Sequence, residues 1–180
     1  LIGLKKSIKG KDAILYLKLR LIIADLKDEV HEMPQSMQEE LRNLCLKQDT
    51  NAQKNFWDIA ISTSLYNFAE LKGLITYIIT NQDKFDFSDD QMLLSLMNLL
   101  IKYLDRCYKE GHIAEAKEVG EFVNTLPHDL LVVFHRLIVK YYLTLINDDY
   151  ELAGKIIGLI NQSGFQHYAK TLPQIKGEEI

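Results

Sequence analysis

The sequence predicts an all-α protein, built as a right-handed α-solenoid of degenerate, tetratricopeptide-like helical hairpins. Of the 180 residues 47% are hydrophobic and only three are proline, so long helices are unobstructed. The chain also repeats itself: segment 99–104 (LLIKYL) returns as 137–142 (LIVKYY), about 38 residues later. That period is the length of one helical hairpin with its turns in a solenoid, and no segment has the pattern of a strand.

The N-terminal part of the chain is predicted to hold a linker remnant, residues 1–10, followed by two entry helices within 11–48. In the first entry helix, over 11–31, apolar residues recur at alternating spacings of three and four, which predicts one buried stripe. The members of this stripe are Leu15, Leu19, Ile22, Leu26 and Val30. Pro34 ends the first helix, and Ser36 with Glu39 predicts a capping box for the second.

Three hairpins and a terminal cap are expected to follow in a single domain. The block from Phe56 to Thr80 is too long for one ordinary helix and is predicted to bend near Tyr66. Ser88 is predicted to cap the second hairpin, and Pro127 to open the third. The hairpins cover 52–80, 88–124 and 127–162, and the cap covers 164–180.

Bulk properties exclude several classes of function. The net charge of −4 argues against a nucleic-acid surface on this segment. No apolar run approaches the roughly 18 residues needed to span a bilayer, so a cytoplasmic protein without membrane contact is expected. Cys45 and Cys107 lie far apart in helical patterns, which predicts two buried free thiols. The chain begins at Leu1 and not at Met, which suggests a fragment.

No pattern in the sequence indicates catalysis. The five histidines lack metal-ligand spacing, and none pairs with a cysteine or serine in a nucleophile motif. Glycine-rich phosphate loops and dinucleotide fingerprints are missing as well. We therefore expect no enzymatic activity, no metal and no cofactor.

A binding groove is predicted along the first helices of the hairpins. Helix 88–109 is apolar almost all round, with one thin polar stripe that includes Asn98 and Lys102. In the repeat register Arg136 and Lys140 take the same places, and Asn55 holds the position of Asn98 in a weaker first copy. Asn can donate to and accept from a peptide backbone, and Arg or Lys can hold a carboxylate, so an extended peptide fits this row. The alternative is a set of ordinary solvated residues.

Aromatic residues divide between the core and two predicted special roles. Trp57 and most of the others fall at apolar helical positions and are expected in the core, whereas Tyr66 and Tyr142 are expected to line the peptide pocket. Phe165, Tyr168 and Leu172 make the terminal segment apolar for an outer repeat, which predicts a dimer surface. A self-capping terminal helix is the alternative.

The repeats resemble the degenerate tetratricopeptide-like repeats of the Rgg/MutR (GadR) transcriptional regulators of Gram-positive bacteria. The resemblance lies in residues 16–23 (YLKLRLII), the Phe56–Trp57 helix, and 103–124 with its echo at 141–161. It implies a homodimeric quorum-sensing domain that binds a short signalling peptide and controls an attached helix-turn-helix domain. That domain is not visible here, so DNA contact is expected only through a missing N-terminal part.

Two functions of different class follow from the sequence. The first is peptide sensing and dimerisation within a transcription regulator. The second is a helical-repeat adaptor that scaffolds a protein partner and has no role on DNA. A helix-turn-helix encoded upstream of this chain favours the first.

Overall fold

The computed structural model describes residues 11–27, 29–47 and 56–175, and these ranges are all-helical, without a strand. Short 3₁₀ turns join several of the helices. The helices are α1 Lys11–Leu26, α2 Gln35–Lys47, α3 Phe56–Ile61, α4 Phe68–Thr80, α5 Asp90–Glu110, α6 Ile113–Thr125, α7 Val133–Ile146, α8 Tyr150–Gln162 and α9 Gln166–Ala169. The predicted all-α class is confirmed for this part of the chain.

The predicted bend near Tyr66 separates α3 from α4. Asn67 is the N-cap of α4: its side chain accepts from the backbone N–H of Glu70, and the Glu70 carboxylate accepts from the N–H of Asn67. This reciprocal pair satisfies two amide groups that a new helix would otherwise leave unbonded. This capping box lies inside the apolar block 56–80 and starts a new helix there, so the block forms α3 and α4 and not one helix.

Three predicted helix starts are wrong by a few residues. Ser36 lies inside α2, because the carbonyl of Pro34 already accepts from the N–H of Met37 at 2.9 Å. Asp89, not Ser88, caps α5 by accepting from the N–H of Met92 at 2.7 Å. The start of α5 offers Ser88, Asp89 and Asp90 as capping side chains in succession, so the sequence pattern alone does not select one.

The third predicted start concerns α7, which begins at Val133 and not directly after Pro127. Asp129 instead accepts from the N–H of Leu131 and opens a 3₁₀ turn over Leu130–Val132. The chain after the proline thus makes one 3₁₀ turn before α7, in which Leu130 and Leu131 are exposed and Val132 is buried. Leu131 in this turn is important for the groove described below.

The second and third predicted hairpins pack around one large core. Helices α3, α5 and α7 lie side by side, with α6 against α5 and α7, and α8 against α7. Repeat-related residues share their environment: Tyr103 and Tyr141 are both buried, as are Ala116 and Ala153. These residues, which correspond in the sequence repeat, are therefore also buried at both repeats of the fold. Its arrangement as a right-handed solenoid stays a prediction.

A second, smaller core lies under α1. Leu17, Leu21 and Ala24 of α1 pack with Met33, Leu41 and Leu65. This small core is separate from the large one. Two ion pairs add polar connections between α1 and the array: Lys18 Nζ to Asp58 of α3 at 2.6 Å, and Lys102 Nζ of α5 to Asp25 at 2.5 Å.

The predicted buried stripe of α1 is wrong. Leu15, Leu19 and Leu26 are exposed, Leu26 to 82%, while the face of Leu17, Leu21 and Ala24 is buried instead. Apolar residues surround α1 almost completely, so two opposite stripes both satisfy a helical period. Which stripe is buried depends on the partners of α1, and the helix sequence does not contain that information.

The C-terminal segment folds back on the array. Leu172 belongs to the large core, Tyr168 is half-buried against Phe134, and the Tyr141 hydroxyl donates to the carbonyl of Pro173 at 2.6 Å. Phe165 also packs on Phe134 but keeps about half of its surface exposed. Leu172 is therefore a core residue and not an exposed dimer contact, as the self-capping alternative expects.

Candidate functional site: the groove beside Trp57

An open groove runs between α3, α5 and the turn that leads into α7. Its larger part, about 700 Å³, is lined by the Trp57 ring, by Leu94 and Asn98 of α5, and by Leu131 and His135. A second cavity of about 520 Å³ lies along the same α5 edge and shares Trp57 with the first. Both volumes are in the range of pockets that hold small ligands or peptide side chains.

The floor of the groove is the N-terminal part of the polar stripe of α5, formed by Gln91, Ser95 and Asn98. Gln91 is exposed, and Ser95, Asn98, Lys102 and Asp105 are half-buried, whereas the rest of the helix surface is mostly in the core. The predicted thin polar line on an otherwise buried helix is confirmed. A floor of amides and hydroxyls between apolar walls can bond a peptide backbone.

Trp57 forms one wall of the groove, although the sequence predicts it in the core. It is 51% exposed, while Asp58 beside it is buried. The orientation of α3 follows from Phe56, Ile59 and Ala60, which pack in the large core, and Lys18 of α1 pairs with the Asp58 carboxylate on the side that this orientation buries. Hydropathy alone places Trp57 inside and Asp58 outside, so this wall depends on tertiary contacts.

His135 lines the opposite wall. Its Nδ1 is buried and has no hydrogen-bond partner among the described residues. Burial lowers the pKa of this imidazole below its usual value, so the ring is neutral at pH 7. A neutral imidazole can donate from one ring nitrogen and accept at the other, which suits an uncharged polar group of a ligand.

Asn98 is the predicted peptide contact that lies directly in the groove. Its amide nitrogen donates to the carbonyl of Leu94 at 2.9 Å, and its amide oxygen takes part in no hydrogen bond within the described ranges. Asn55, predicted at the equivalent position, lies outside the described residues. Among the polar residues predicted at equivalent repeat positions, Asn98 is thus the one that the described lining of the groove contains.

Lys102 lies one turn beyond Asn98 and already has a partner. Its Nζ is 2.5 Å from the carboxylate of Asp25, and both side chains remain partly exposed. An internal carboxylate thus occupies the position at which a peptide carboxylate was predicted. A ligand carboxylate at Lys102 has to compete with Asp25.

Arg136 and Lys140 of α7 lie apart from the lining of the groove. Arg136 donates to the backbone carbonyls of Leu126 and Pro127 at 2.8 and 3.1 Å, so it fixes the α6–α7 connection. Lys140 is exposed, and its ammonium group makes none of the ion pairs found in the described ranges. Of the five polar side chains that the sequence predicts in one row, the described groove lining therefore contains Asn98 but not Lys102, Arg136 or Lys140.

The two tyrosines predicted to line the pocket are buried, Tyr66 to 7% and Tyr142 to 3% exposure. The Tyr142 hydroxyl donates to Asp105 at 3.1 Å, and burial together with that carboxylate raises its pKa. The carbonyl of Tyr66 accepts from Arg106 of α5 at 3.1 Å, which links the turn before α4 to α5. Neither tyrosine is among the residues that line the groove.

The polar side chains of the groove lining are Asp90, Gln91, Ser95, Asn98 and His135, which can donate or accept hydrogen bonds. Within 11–27, 29–47 and 56–175 no three His, Cys, Asp or Glu side chains come close enough to hold a metal ion. The helices of the same ranges include none long and apolar enough to cross a bilayer. Cys45 and Cys107 are buried free thiols, as predicted, and neither lines the groove; burial raises the pKa of Cys107 to about 12.

Comparison with protein-family models, with curated proteins and with solved structures finds no match to this chain.

Proposed function

We propose that this chain is a peptide-binding domain, and that it holds a short extended peptide in the groove beside Trp57. The observation that carries the proposal is a half-exposed tryptophan facing Leu131 across a floor of Gln91, Ser95 and Asn98. Exposed Trp is costly to leave in water and is enriched at binding hot spots.

The lining indicates the chemistry of the peptide. Trp57, Leu94 and Leu131 can hold one apolar or aromatic side chain, and the Asn98 amide can bond the backbone next to it. Asp90 lies at the same groove, so a free amino terminus or a basic side chain fits that end better than an acid.

The wider proposal is that the peptide is a signal and that the chain belongs to a cytoplasmic transcription regulator. It is supported by the resemblance of the repeats to Rgg/MutR-type regulators. Peptide binding would then favour one arrangement of the helices and alter two attached DNA-binding domains in a homodimer. A plain adaptor remains the competing function, and the coding sequence upstream of this chain separates the two.

Peptide binding can be tested with the only tryptophan of the chain as a reporter. The probe is a library of free eight-residue peptides of random sequence, selected on the immobilised chain and then titrated singly. We expect the Trp57 emission to shift to shorter wavelength on binding, because the ring leaves water. Selected peptides should bind with Kd of roughly 10 μM or better.

Adjacent leucines supply a matched pair of variants. Leu131 lines the groove, whereas Leu130 is 89% exposed and does not. Leu131→Asp and Asn98→Ala should each weaken binding about tenfold or more, and Leu130→Asp should leave it unchanged. Equal affinity for all three variants, or binding without a Trp57 signal, would place the peptide elsewhere and contradict the proposal. Arg136→Ala is unsuitable, because it would also release the α6–α7 connection.

A further inference from the structure

The outward face of α1 carries the largest group of exposed apolar side chains on one helix in the described ranges. Within twelve residues of one helix it presents Leu15, Tyr16, Leu19, Ile23 and Leu26 to solvent. The opposite face of α1 is already packed on the small core. Contiguous exposed apolar surface of this kind on a folded chain marks an interaction surface.

The spacing of this face is that of a helix-to-helix seam. Leu15, Leu19, Ile22 and Leu26 follow one another at four, three and four residues, which is the a/d pattern of paired helices. These spacings are the same from either end of the helix. Two copies of α1 can therefore pair antiparallel about a two-fold axis that passes between Leu19 and Ile22. Leu15 then faces Leu26 of the partner subunit, and Leu19 faces Ile22 of the partner subunit.

The borders of the seam are compatible with the same arrangement. On one side, Tyr16 comes close to Ile23 of the partner subunit. On the other side, Lys18 and Asp25 place opposite charges along the border of each copy. Lys18 is largely buried in its pair with Asp58, so these charges add attraction at a distance and not a second ion pair.

The area fits a weak dimer. The five exposed side chains keep on average more than half of their surface, which is roughly 350 Å² of apolar area per copy at about 120 Å² for a large aliphatic side chain. Two copies exclude roughly 700 Å² of apolar surface, and with the usual polar share the interface is about 1,200 Å². This is the lower limit of specific complexes and corresponds to a Kd in roughly the micromolar range.

We infer that α1 is a homodimer interface, formed by antiparallel pairing of its exposed seam with α1 of a second copy. This interface does not involve Phe165, Tyr168 or Leu172, and it does not rest on the proposed peptide function. The peptide titration and the dimer measurement can therefore fail separately.

The test is sedimentation equilibrium of the full chain over roughly 1 to 100 μM, the range set by the expected affinity. Leu19→Asp should weaken dimerisation at least tenfold, and Leu26→Asp, at the most exposed position, should do the same. Leu159→Asp is the matched control, because Leu159 is a helical leucine of nearly the same exposure, 51% against 49% for Leu19. It should leave the dimer unchanged, and the far-UV circular dichroism of all variants should match that of the parent chain.

The outcomes that overturn the inference are specific. They are a monomer at every concentration, a dimer that resists both substitutions in α1, or a dimer that Phe165→Asp breaks and Leu19→Asp does not. Binding of a monomer to phosphatidylcholine–phosphatidylserine vesicles, lost in Leu19→Asp, would assign the seam to a membrane surface instead.

Cysteine cross-linking tests the antiparallel geometry. Leu15→Cys mixed with Leu26→Cys should form a disulfide-linked dimer on mild oxidation, whereas each variant alone should not, because residue 15 faces residue 26. The native Cys45 and Cys107 are buried and will react slowly. Cross-linking of each variant with itself would indicate parallel pairing and refute the proposed geometry.

Discussion

Removal of the ammonium group of Lys18 is expected to destabilise the chain strongly. Lys18 Nζ lies 2.6 Å from the Asp58 carboxylate, and both side chains are largely buried, with 18% and 9% of their surface exposed. In Lys18→Met the aliphatic stem remains but the carboxylate stays buried without its cation. Breaking a buried pair in this way costs about 3 kcal/mol, which in a chain of this length lowers Tm by roughly 6 to 12 °C.

The assay is thermal and urea unfolding followed by circular dichroism. Lys155→Met is the matched control, because Lys155 makes a helical ion pair with Glu151 at 2.5 Å that is fully exposed; its Tm should not change measurably. The double variant Lys18→Met/Asp58→Asn removes both charges and should recover at least half of the lost stability. The reasoning is refuted if Lys18→Met and Lys155→Met behave alike, or if the double variant is no more stable than Lys18→Met.

Two further predictions concern backbone strain and pH. Gly73→Ala lies in the exposed middle of α4, where a Cβ meets nothing within 4 Å, and alanine has the higher helix propensity, so it should stabilise the chain by about 0.5 to 1 kcal/mol. Gly111 has a left-handed backbone with φ of 78°, so Gly111→Ala should destabilise the chain by about 1 kcal/mol. Urea unfolding measures both, and a gain at Gly111 would contradict the reasoning. For His135 the folded pKa lies below the unfolded value, so the unfolded chain binds the proton first and stability falls as the pH drops below about 6.5. His135→Asn should reduce the loss of stability between pH 7.5 and 5.5, and an unchanged pH dependence would show that the imidazole is not neutral in the fold.

The parts of the fold that follow from local sequence were predictable. The bend at Asn67 depends on a capping box within four residues, and the polar stripe of α5 depends on one helical period. Both signals are complete within a short window of the sequence. Tyr103 and Tyr141 correspond in the sequence repeat, and both rings are buried in the core.

The parts that depend on a distant partner were not predictable. Asp58 can be buried, with Trp57 exposed beside it, because its carboxylate pairs with Lys18, forty residues earlier in the chain. Arg136 and Tyr142 are residue types that can bind a ligand, yet Arg136 donates to two backbone carbonyls and Tyr142 to a carboxylate of their own chain. The type of a residue limits which hydrogen bonds and ion pairs its side chain can form. Only the packed structure shows which of these are already formed within the chain.

The division of the interior into two cores has a consequence for how the chain opens. The small core beneath α1 has few buried side chains, so α1 and α2 can detach while α5 and α7 stay folded. Amide hydrogens of α1 should therefore exchange through a partial opening, well before those of α5. If α1 pairs with a second copy, dimerisation slows hydrogen exchange most in α1, the region that exchanges fastest in the monomer. The exchange rate of the α1 amides then depends on protein concentration.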